Sequence, residues 1–169
     1  KINRELTKPE NVSFDNKEAL KDYITDYCNK HGWDSDLNHI DVSKITDMSG
    51  LFRLTDFNGD ISQWDTSNVQ NMSEMFADSP FNQPIGNWNT SNVTNMEFMF
   101  CDSVFDQPLN DWDIRNVKST RGMFIGTPFN QPLDKWNTSN VTNMSGMFSD
   151  SKFNQPLNNW DVSKVIDIS

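Results

Sequence analysis

A strict period of 24 residues constrains this chain more than any other feature of its sequence. Five tryptophans keep that spacing without an exception, at positions 64, 88, 112, 136 and 160. Phenylalanines at 57, 81, 105, 129 and 153 and valines at 69, 93, 117, 141 and 165 keep it too. A fixed period of this length is typical of a solenoid, in which each repeat forms one coil and contacts only its neighbours.

The repeats divide the chain into an N-terminal segment and an array, within a single domain. Residues 1–32 carry no repeat, and residues 33–169 hold about five and a half. We number the repeats one to six: 33–56, 57–80, 81–104, 105–128, 129–152, and a half repeat from 153. Repeat one is degenerate but in phase, with Trp33, Leu37 and Ile40 at the Phe, Ile and Trp positions of repeat two.

Each repeat has two parts with different local preferences. In F-N-Q-P-L-x-x-W the Phe, Leu and Trp should point inward, and a short strand is expected around Trp, after the proline that cannot donate to a ladder. N-T-S-N is a turn. V-T-N-M-S-G-M-F has the apolar spacing of a short helix or 3₁₀ turn. We therefore predict an α/β repeat solenoid of 24-residue coils, right-handed by the usual crossover preference.

The N-terminal segment predicts an amphipathic helix after a polar lead-in. Asp15 or Asn16 can cap it, and Gly32 can terminate it. An apolar stripe recurs at helical spacing: Ala19, Leu20, Tyr23, Ile24, Tyr27 and Cys28. We expect this helix to cover the open end of the solenoid, since terminal coils need atypical caps. The alternative is a helix that recruits a partner.

Composition and charge exclude some classes of partner. A mean hydropathy of -0.70 suggests disorder in an ordinary globule, but here the apolar residues are periodic and rich in Phe and Trp. A net charge of -10 argues against binding to nucleic acid or anionic lipid. Cys28 and Cys101 lie about three coils apart, roughly 15 Å at strand spacing, so we expect two free thiols. No signal peptide or membrane span is present, and the ends at Lys1 and Ser169 suggest a fragment or mature form.

The regular polar columns favour structural roles. Asn68, Asn92, Asn116 and Asn140 form one column, and Gln83, Gln107, Gln131 and Gln155 another. Stacked amides should bond from coil to coil, although a glycan-binding face is an alternative. Asp65, Asp113 and Asp161 suit turn capping better than calcium binding. Threonines at 66, 90 and 138 could form an ice-binding ladder, but Ile114 and Val162 interrupt that column.

Catalysis lacks recognisable ingredients. The only histidines, His31 and His39, lie near the N-terminal helix, and there is no metal-binding Cys/His spacing, phosphate loop or nucleophile elbow. We expect no enzymatic activity and no cofactor. A hydrolase of surface polymers would need a groove with two carboxylates at catalytic separation.

The place where the repeat departs from its own pattern is the most informative. In repeat four, Arg115 takes the place of Ser, Lys118 the place of Thr or Gln, and Arg121 the place of Ser or Glu. Glu97 and Phe98 are the corresponding irregularity one repeat earlier. Helical spacing would place the three cations on one face, with Glu97 in the phase of Arg121. One interpretation is a salt bridge with solvated cations, and the other is a partner-binding patch with Phe98 as an exposed anchor.

The repeated unit resembles a known family of short repeats. The pattern W-[ND]-T-S-N-V-T-N-M-S-x-M-F-x-x-S-x-F-N-Q-P-[IL] recurs across residues 57–168 and is similar to repeats of bacterial surface proteins and mycoplasma-type lipoproteins, relatives of the BspA-like leucine-rich repeats. The first 32 residues lie outside that resemblance.

The resemblance implies a curved, leucine-rich-repeat-like solenoid on a cell surface, used for adhesion or for binding a protein or glycan of a host or neighbouring cell. It implies no enzymatic activity. We expect an extracellular, monomeric module, attached to a membrane only through an anchor outside this chain. The rival reading is a structural spacer that displays other domains.

Overall fold

The computed structural model describes residues 8–167 and contains one helix and two short strands in this part of the chain. Strand β1 is Val12–Ser13, helix α1 is Lys17–His31 and strand β2 is Ile40–Asp41. The two strands pair in parallel, with Val12 opposite Ile40. The lead-in therefore adds a strand to the edge of repeat one.

Helix α1 forms where the sequence predicts it. The Asn16 side chain accepts a hydrogen bond from Ala19 N at 2.9 Å, which leaves Asp15 outside the cap. The helix ends at Gly32, whose φ of 107° favours glycine and whose N–H donates to Cys28 O. Leu20, Ile24 and Cys28 are fully buried and join the same hydrophobic core as repeat one. Cys28 and Cys101 are both free thiols, as expected.

Successive repeats are joined by parallel bridges that fall at one position of the unit. The bridges pair residues 24 apart: Asp47 with Asn71, Asn71 with Asn95, Asn95 with Ser119, Ser119 with Asn143, and Asn143 with Asp167. A bridge at this position differs in detail from the strand expected around Trp. Since each repeat bonds the next only briefly here, no longer strand develops within the described repeats.

In the segment after each bridge, some backbone N–H groups donate to the next repeat and others donate within the same repeat. Phe52 N donates to Met75 O of the next repeat at 2.9 Å. Leu51 N instead donates to Met48 O within its own repeat at 3.2 Å. An α-helix would use these N–H groups internally, so this segment forms successive turns. Its bonds within the repeat run to the residue three positions back, which is the pattern of the 3₁₀ turn that the sequence offered beside a short helix.

Those turns place residues in the left-handed backbone region at two fixed positions of the repeat. The first column is Gly50, Glu74, Phe98, Gly122 and Gly146, and the second is Leu54, Asp78, Asp102, Gly126 and Asp150. Their φ values lie between 53° and 66°. Glycine and aspartate occupy most of these positions because they tolerate this conformation best. Glu74, Phe98 and Leu54 are the exceptions.

The core is a set of aromatic columns between the two halves of each repeat. Phe57, Phe81 and Phe105 stack with ring centroids 6.0 and 6.2 Å apart. A second phenylalanine column runs beside them, with Phe76 only 3.9 Å from Phe81. In repeats two to six the Trp indole also donates to a carbonyl of the repeat before it, as when Trp112 Nε1 donates to Ile85 O at 3.0 Å. On these contacts we propose that the repeats form a solenoid; its handedness and leucine-rich-repeat likeness stay predictions.

Candidate partner-binding surface

The irregular residues of repeats three and four lie side by side because the two repeats share backbone hydrogen bonds. Phe98 N donates to Arg121 O at 2.8 Å, and Lys118 N donates to Thr94 O at 2.8 Å. The structure thus brings Glu97 and Phe98 against the strip that holds Arg121. We call the five residues Glu97, Phe98, Arg115, Lys118 and Arg121 the irregular patch.

Helical spacing does not explain the arrangement of the three cations. Residues 115–121 form turns and one bridge at Ser119, and no helix covers them. Arg115, Lys118 and Arg121 are nevertheless all exposed, while Val117 and Thr120 between them are buried. The three cations reach solvent because an extended, turning backbone directs the buried residues inward. The three cations therefore do not share the face of a helix, contrary to the prediction from their spacing.

Phe98 is packed against the next repeat and is half-buried, whereas the partner-binding interpretation had it as an exposed anchor. Its φ is 54°, and its ring lies over Gly122. A Cβ atom on Gly122 would lie 2.3 Å from one ring carbon of Phe98 and 2.4 Å from another. Only glycine at position 122 leaves room for this ring, so the Phe98–Gly122 pair is a built feature of the surface.

Arg121 completes the setting of the aromatic ring. Its guanidinium carbon lies 5.3 Å from the Phe98 ring centroid, which is a cation–π distance. At an exposed site such a contact contributes about 0.5–1 kcal/mol. The Arg121 guanidinium makes no hydrogen bond or ion pair with the residues that the structure describes.

Glu97 does not form the salt bridge with Arg121 that one interpretation of the sequence required. Its Oε1 accepts a hydrogen bond from Ser119 Oγ at 2.6 Å, and the ion pairs among residues 8–167 do not include Glu97. Ser119 stands where other repeats have Asn or Asp, so the two substitutions compensate each other across the repeats.

The three cations differ in how far they are already neutralised. Arg115 binds Asp113 through Nε and Nη2, at 3.0 and 2.7 Å. This pairing raises the pKa of the Arg115 guanidinium and lowers the pKa of the Asp113 carboxyl. Lys118 has no side-chain hydrogen bond or ion pair with any residue between 8 and 167. Lys118 and Arg121 are therefore the cations available to an acidic partner.

Sequence reasoning missed Ile125 as part of this surface. Its Cδ1 would lie 2.9 Å from a Cβ on Gly122, so its side chain reaches the same glycine as the Phe98 ring. The other repeats carry Arg53, Ala77, Cys101 and Ser149 at this position. The sequence does show Ile125 as a large apolar residue at a position where the other repeats have small or polar ones. That residue alone does not show the contact, which depends on Gly122 lying between the two side chains.

The regular columns are engaged in holding the repeats together. Asn116 Nδ2 donates to Ser91 O at 2.7 Å, and Gln107 Nε2 donates to Asn82 Oδ1 at 3.2 Å. The other Asn and Gln residues of these two columns make the equivalent contacts to the repeat before them. The structural interpretation of the amide ladders is confirmed.

The aspartate and threonine columns are also accounted for. Asp65 Oδ1 accepts from Ser67 N at 3.0 Å, and Asp113 and Asp161 make the same turn contact, which confirms the capping prediction. Thr66, Thr90 and Thr138 are at most 2% exposed, and each hydroxyl donates to a backbone carbonyl of the next repeat. These hydroxyls therefore form no exposed ladder for ice.

The part of the chain that the structure describes holds neither a metal-binding cluster nor a membrane-spanning helix. Residues 8–167 contain no group of three or more His, Cys, Asp and Glu side chains placed to hold a metal ion. No helix in the same range is long and apolar enough to cross a membrane.

Comparison with known proteins gives one match. A family model described as "Mycoplasma protein of unknown function, DUF285" matches the chain over residues 21–128 and again over residues 103–169. The first match begins inside α1, so it includes residues 21–32, which the sequence resemblance had left out. No curated protein and no solved structure matches the chain.

Proposed function

The chain belongs to the family of Mycoplasma proteins of unknown function DUF285, and on that premise we propose that it is a non-enzymatic repeat module that binds a surface protein or glycan. We further propose that the module works outside the cell, in adhesion. The relation to BspA-like leucine-rich repeats, suggested by the repeat pattern, is part of the same proposal.

One observation carries this proposal. The regular columns of repeats two to six are occupied by contacts between repeats, whereas Lys118 and Arg121 of the irregular patch have no such task. Lys118 has no partner among the described side chains, and Arg121 is held only over the Phe98 ring. In a protein of net charge -10, exposed cations beside an aromatic ring favour a partner that carries carboxylate or sulfate groups.

Binding of purified protein to host-cell and extracellular-matrix preparations tests the proposal. We expect saturable binding that weakens as salt is raised from about 0.05 to 0.5 M, because exposed charges are screened over this range. The double variant Lys118→Ala, Arg121→Ala should lose most of the binding. Arg115→Ala should lose little, since Asp113 already neutralises that guanidinium.

A charge-matched control separates the patch from the net charge. Lys135→Ala combined with Lys164→Ala also removes two cations, but in repeats five and six. This control should bind like the native chain. Equal losses in the two double variants would show that only net charge matters, and the patch would then not be the site.

If the chain is instead a structural spacer, the native protein should bind none of these preparations. Continuous hydrogen bonding between repeats is what a stalk needs, and the amide ladders supply it. No binding by the native chain in any preparation would favour the spacer, provided that circular dichroism shows the chain to be folded.

A further inference from the structure

His39 lies where the N-terminal segment meets the repeats. Its backbone carbonyl accepts the N–H of Val12 at 3.2 Å, and the next residue, Ile40, begins β2. Its ring packs against α1, with centroid distances of 4.8 Å to the Tyr27 ring and 6.0 Å to the Tyr23 ring. Strand β1, helix α1 and repeat one therefore all contact this one residue, and we call the contact between the three elements the joint.

The two ring nitrogens of His39 have different surroundings. Nε2 lies 2.9 Å from the Tyr23 hydroxyl, which is a hydrogen-bond distance. Nδ1 is out of reach of solvent and forms no hydrogen bond with any residue that the structure describes. No other buried side-chain nitrogen or oxygen of residues 8–167 lacks a partner. A neutral imidazole has one N–H group to satisfy here, whereas an imidazolium has two.

The position of His39 therefore opposes its protonation. Burial, the largest effect, lowers the pKa of His39; the carboxylate and backbone of Asp36 raise it, and His31 lowers it. The net direction is downward, so the folded chain favours the neutral ring. Because the unfolded chain takes up this proton more readily, the joint is stabilised above the unfolded pKa of about 6.5. That stabilisation is lost as pH falls through the folded pKa.

Other ionisable groups surround His39 on the elements packed against it. On α1, burial raises the pKa of the Tyr23 phenol, which therefore stays neutral in acid. Two cavities that reach His39 are also lined by Lys8 of the lead-in, Asp41 of β2, and Asp60 and Asp65 of repeat two. Hydrogen bonds from serines two positions on lower the pKa of each of these three carboxyls, so they stay ionised. Between about pH 7 and pH 5, His39 and the exposed His31 are the side chains here that change charge.

We propose that His39 is a pH-sensitive contact, which keeps α1 and β1 packed on repeat one while its ring is neutral and loosens them when the ring is protonated. Opening of the joint separates the buried face of α1, which carries Leu20, Ile24 and Cys28, from the core of repeat one. The later repeats bond one another without His39, so they should stay folded when the joint opens. Mild acid would then expose an apolar surface at this end of the array.

The thiol of Cys28 reports opening of the joint. It is 1% exposed, and burial raises its pKa to about 11, so a thiol reagent reaches it only when α1 separates from repeat one. The variant Cys101→Ala, which copies Ala77 of repeat two, leaves Cys28 as the only thiol. The rate of labelling by a pyridyl disulfide, divided by the rate for a free-cysteine peptide at the same pH, measures the open fraction. We expect this ratio to rise several-fold between about pH 7 and pH 5.

Two variants in this background assign the effect to one histidine. His39→Gln copies Gln63, the residue at the equivalent position of repeat two, and its labelling ratio should not change between these pH values. His31→Gln is the control, because it removes the other histidine, at the end of α1, and should keep the rise. An equal rise in His39→Gln would overturn the proposal, and so would a loss of the rise in His31→Gln.

A titration of the native chain by nuclear magnetic resonance tests the proposal without any substitution at the joint. The ring of His39 should titrate below the ordinary histidine range. The protection of the Leu20 and Ile24 amides against hydrogen exchange should fall with the same midpoint. The Phe100 amide, which donates to Met123 O in the next repeat, should keep its protection. Titration of His39 without any loss of protection in α1 would contradict the proposal.

Discussion

At the scale of single residues, the surface of this protein is set by pairs that lie 24 positions apart. Phe98 and Gly122 occupy the same position in successive repeats, and the ring of the first requires the missing side chain of the second. Gly146 follows in the same column with a φ of 61°, but a Cβ there would lie no closer than 3.4 Å to Ser149 Oγ. A side chain at Gly146 would therefore meet only the strain of a left-handed backbone, whereas a side chain at Gly122 would also clash with the Phe98 ring.

Alanine at the two glycines should destabilise the protein by different amounts. Gly146→Ala should lower the free energy of unfolding by about 1–2 kcal/mol, the usual cost of a left-handed L-residue. Gly122→Ala should cost about 1–3 kcal/mol more, because its methyl group overlaps the Phe98 ring. Urea unfolding followed by tryptophan fluorescence measures both.

The background variant Phe98→Ala gives the decisive control. Without the ring, the cost of Gly122→Ala should fall to that of Gly146→Ala, since the end of Ile125 can rotate away. An unchanged cost of Gly122→Ala in this background would show that Phe98 does not lie over Gly122.

At the scale of elements, the turn that begins the second half of a repeat is held by the same hydrogen bond throughout, and its acceptor is a side-chain oxygen of either Asp or Asn. Asp65 and Asp161 accept the N–H of the residue two positions on, and Asn89 and Asn137 do the same in alternate repeats. Hydrogen bonds from the Ser67 hydroxyl and N–H lower the pKa of Asp65, and Ser163 does so for Asp161. The carboxylates make these turns pH-dependent, whereas the amides do not.

Acid should therefore destabilise the aspartate turns selectively. A carboxyl whose pKa is lower in the folded chain stabilises it above its unfolded pKa of about 3.9, and this stabilisation is lost as pH falls through the folded pKa. The double variant Asp65→Asn, Asp161→Asn should lose less stability than the native chain between about pH 6 and pH 3. Urea midpoints at the two pH values measure this loss.

A charge-matched control checks the cause. Asp22→Asn with Asp26→Asn removes two exposed carboxylates from α1. The pH dependence of this control should stay close to that of the native chain. If both double variants respond equally to acid, general charge repulsion is responsible and the turns are not.

How far the sequence predicted these elements depends on whether their cause was local. The ends of α1 were predictable because Asn16 and Gly32 act within one turn of the backbone. The turn capping of Asp65 was predictable for the same reason. The bridge at Asn71 was not, because its backbone bonds reach repeat one: Asn71 N donates to Thr46 O, and Asn71 O accepts from Met48 N. The position of Phe98 was not predictable either, because it depends on Gly122 one repeat away.

At the scale of the whole molecule, the common period makes repeats exchangeable. The columns of side chains and hydrogen bonds recur every 24 residues. If one whole repeat is deleted, the repeats on either side therefore meet with equivalent positions in register. A deletion of half a repeat would instead place polar turn residues beneath aromatic columns. An array with contacts only between neighbours should lose the stability of about one repeat and its interfaces in the first case.

Two deletions of equal length then test architecture and function together. Deletion of residues 105–128 removes Arg115, Lys118 and Arg121, and it brings Phe98 opposite Gly146, which keeps room for the ring. Deletion of residues 129–152 leaves the irregular patch intact. Both shortened chains should fold, with similar circular dichroism and lowered melting temperatures, because both restore the columns. Only the second should bind the cell-surface preparations. Retention of binding by both would place recognition outside the irregular patch, and a loss in both would make it a property of the length of the array.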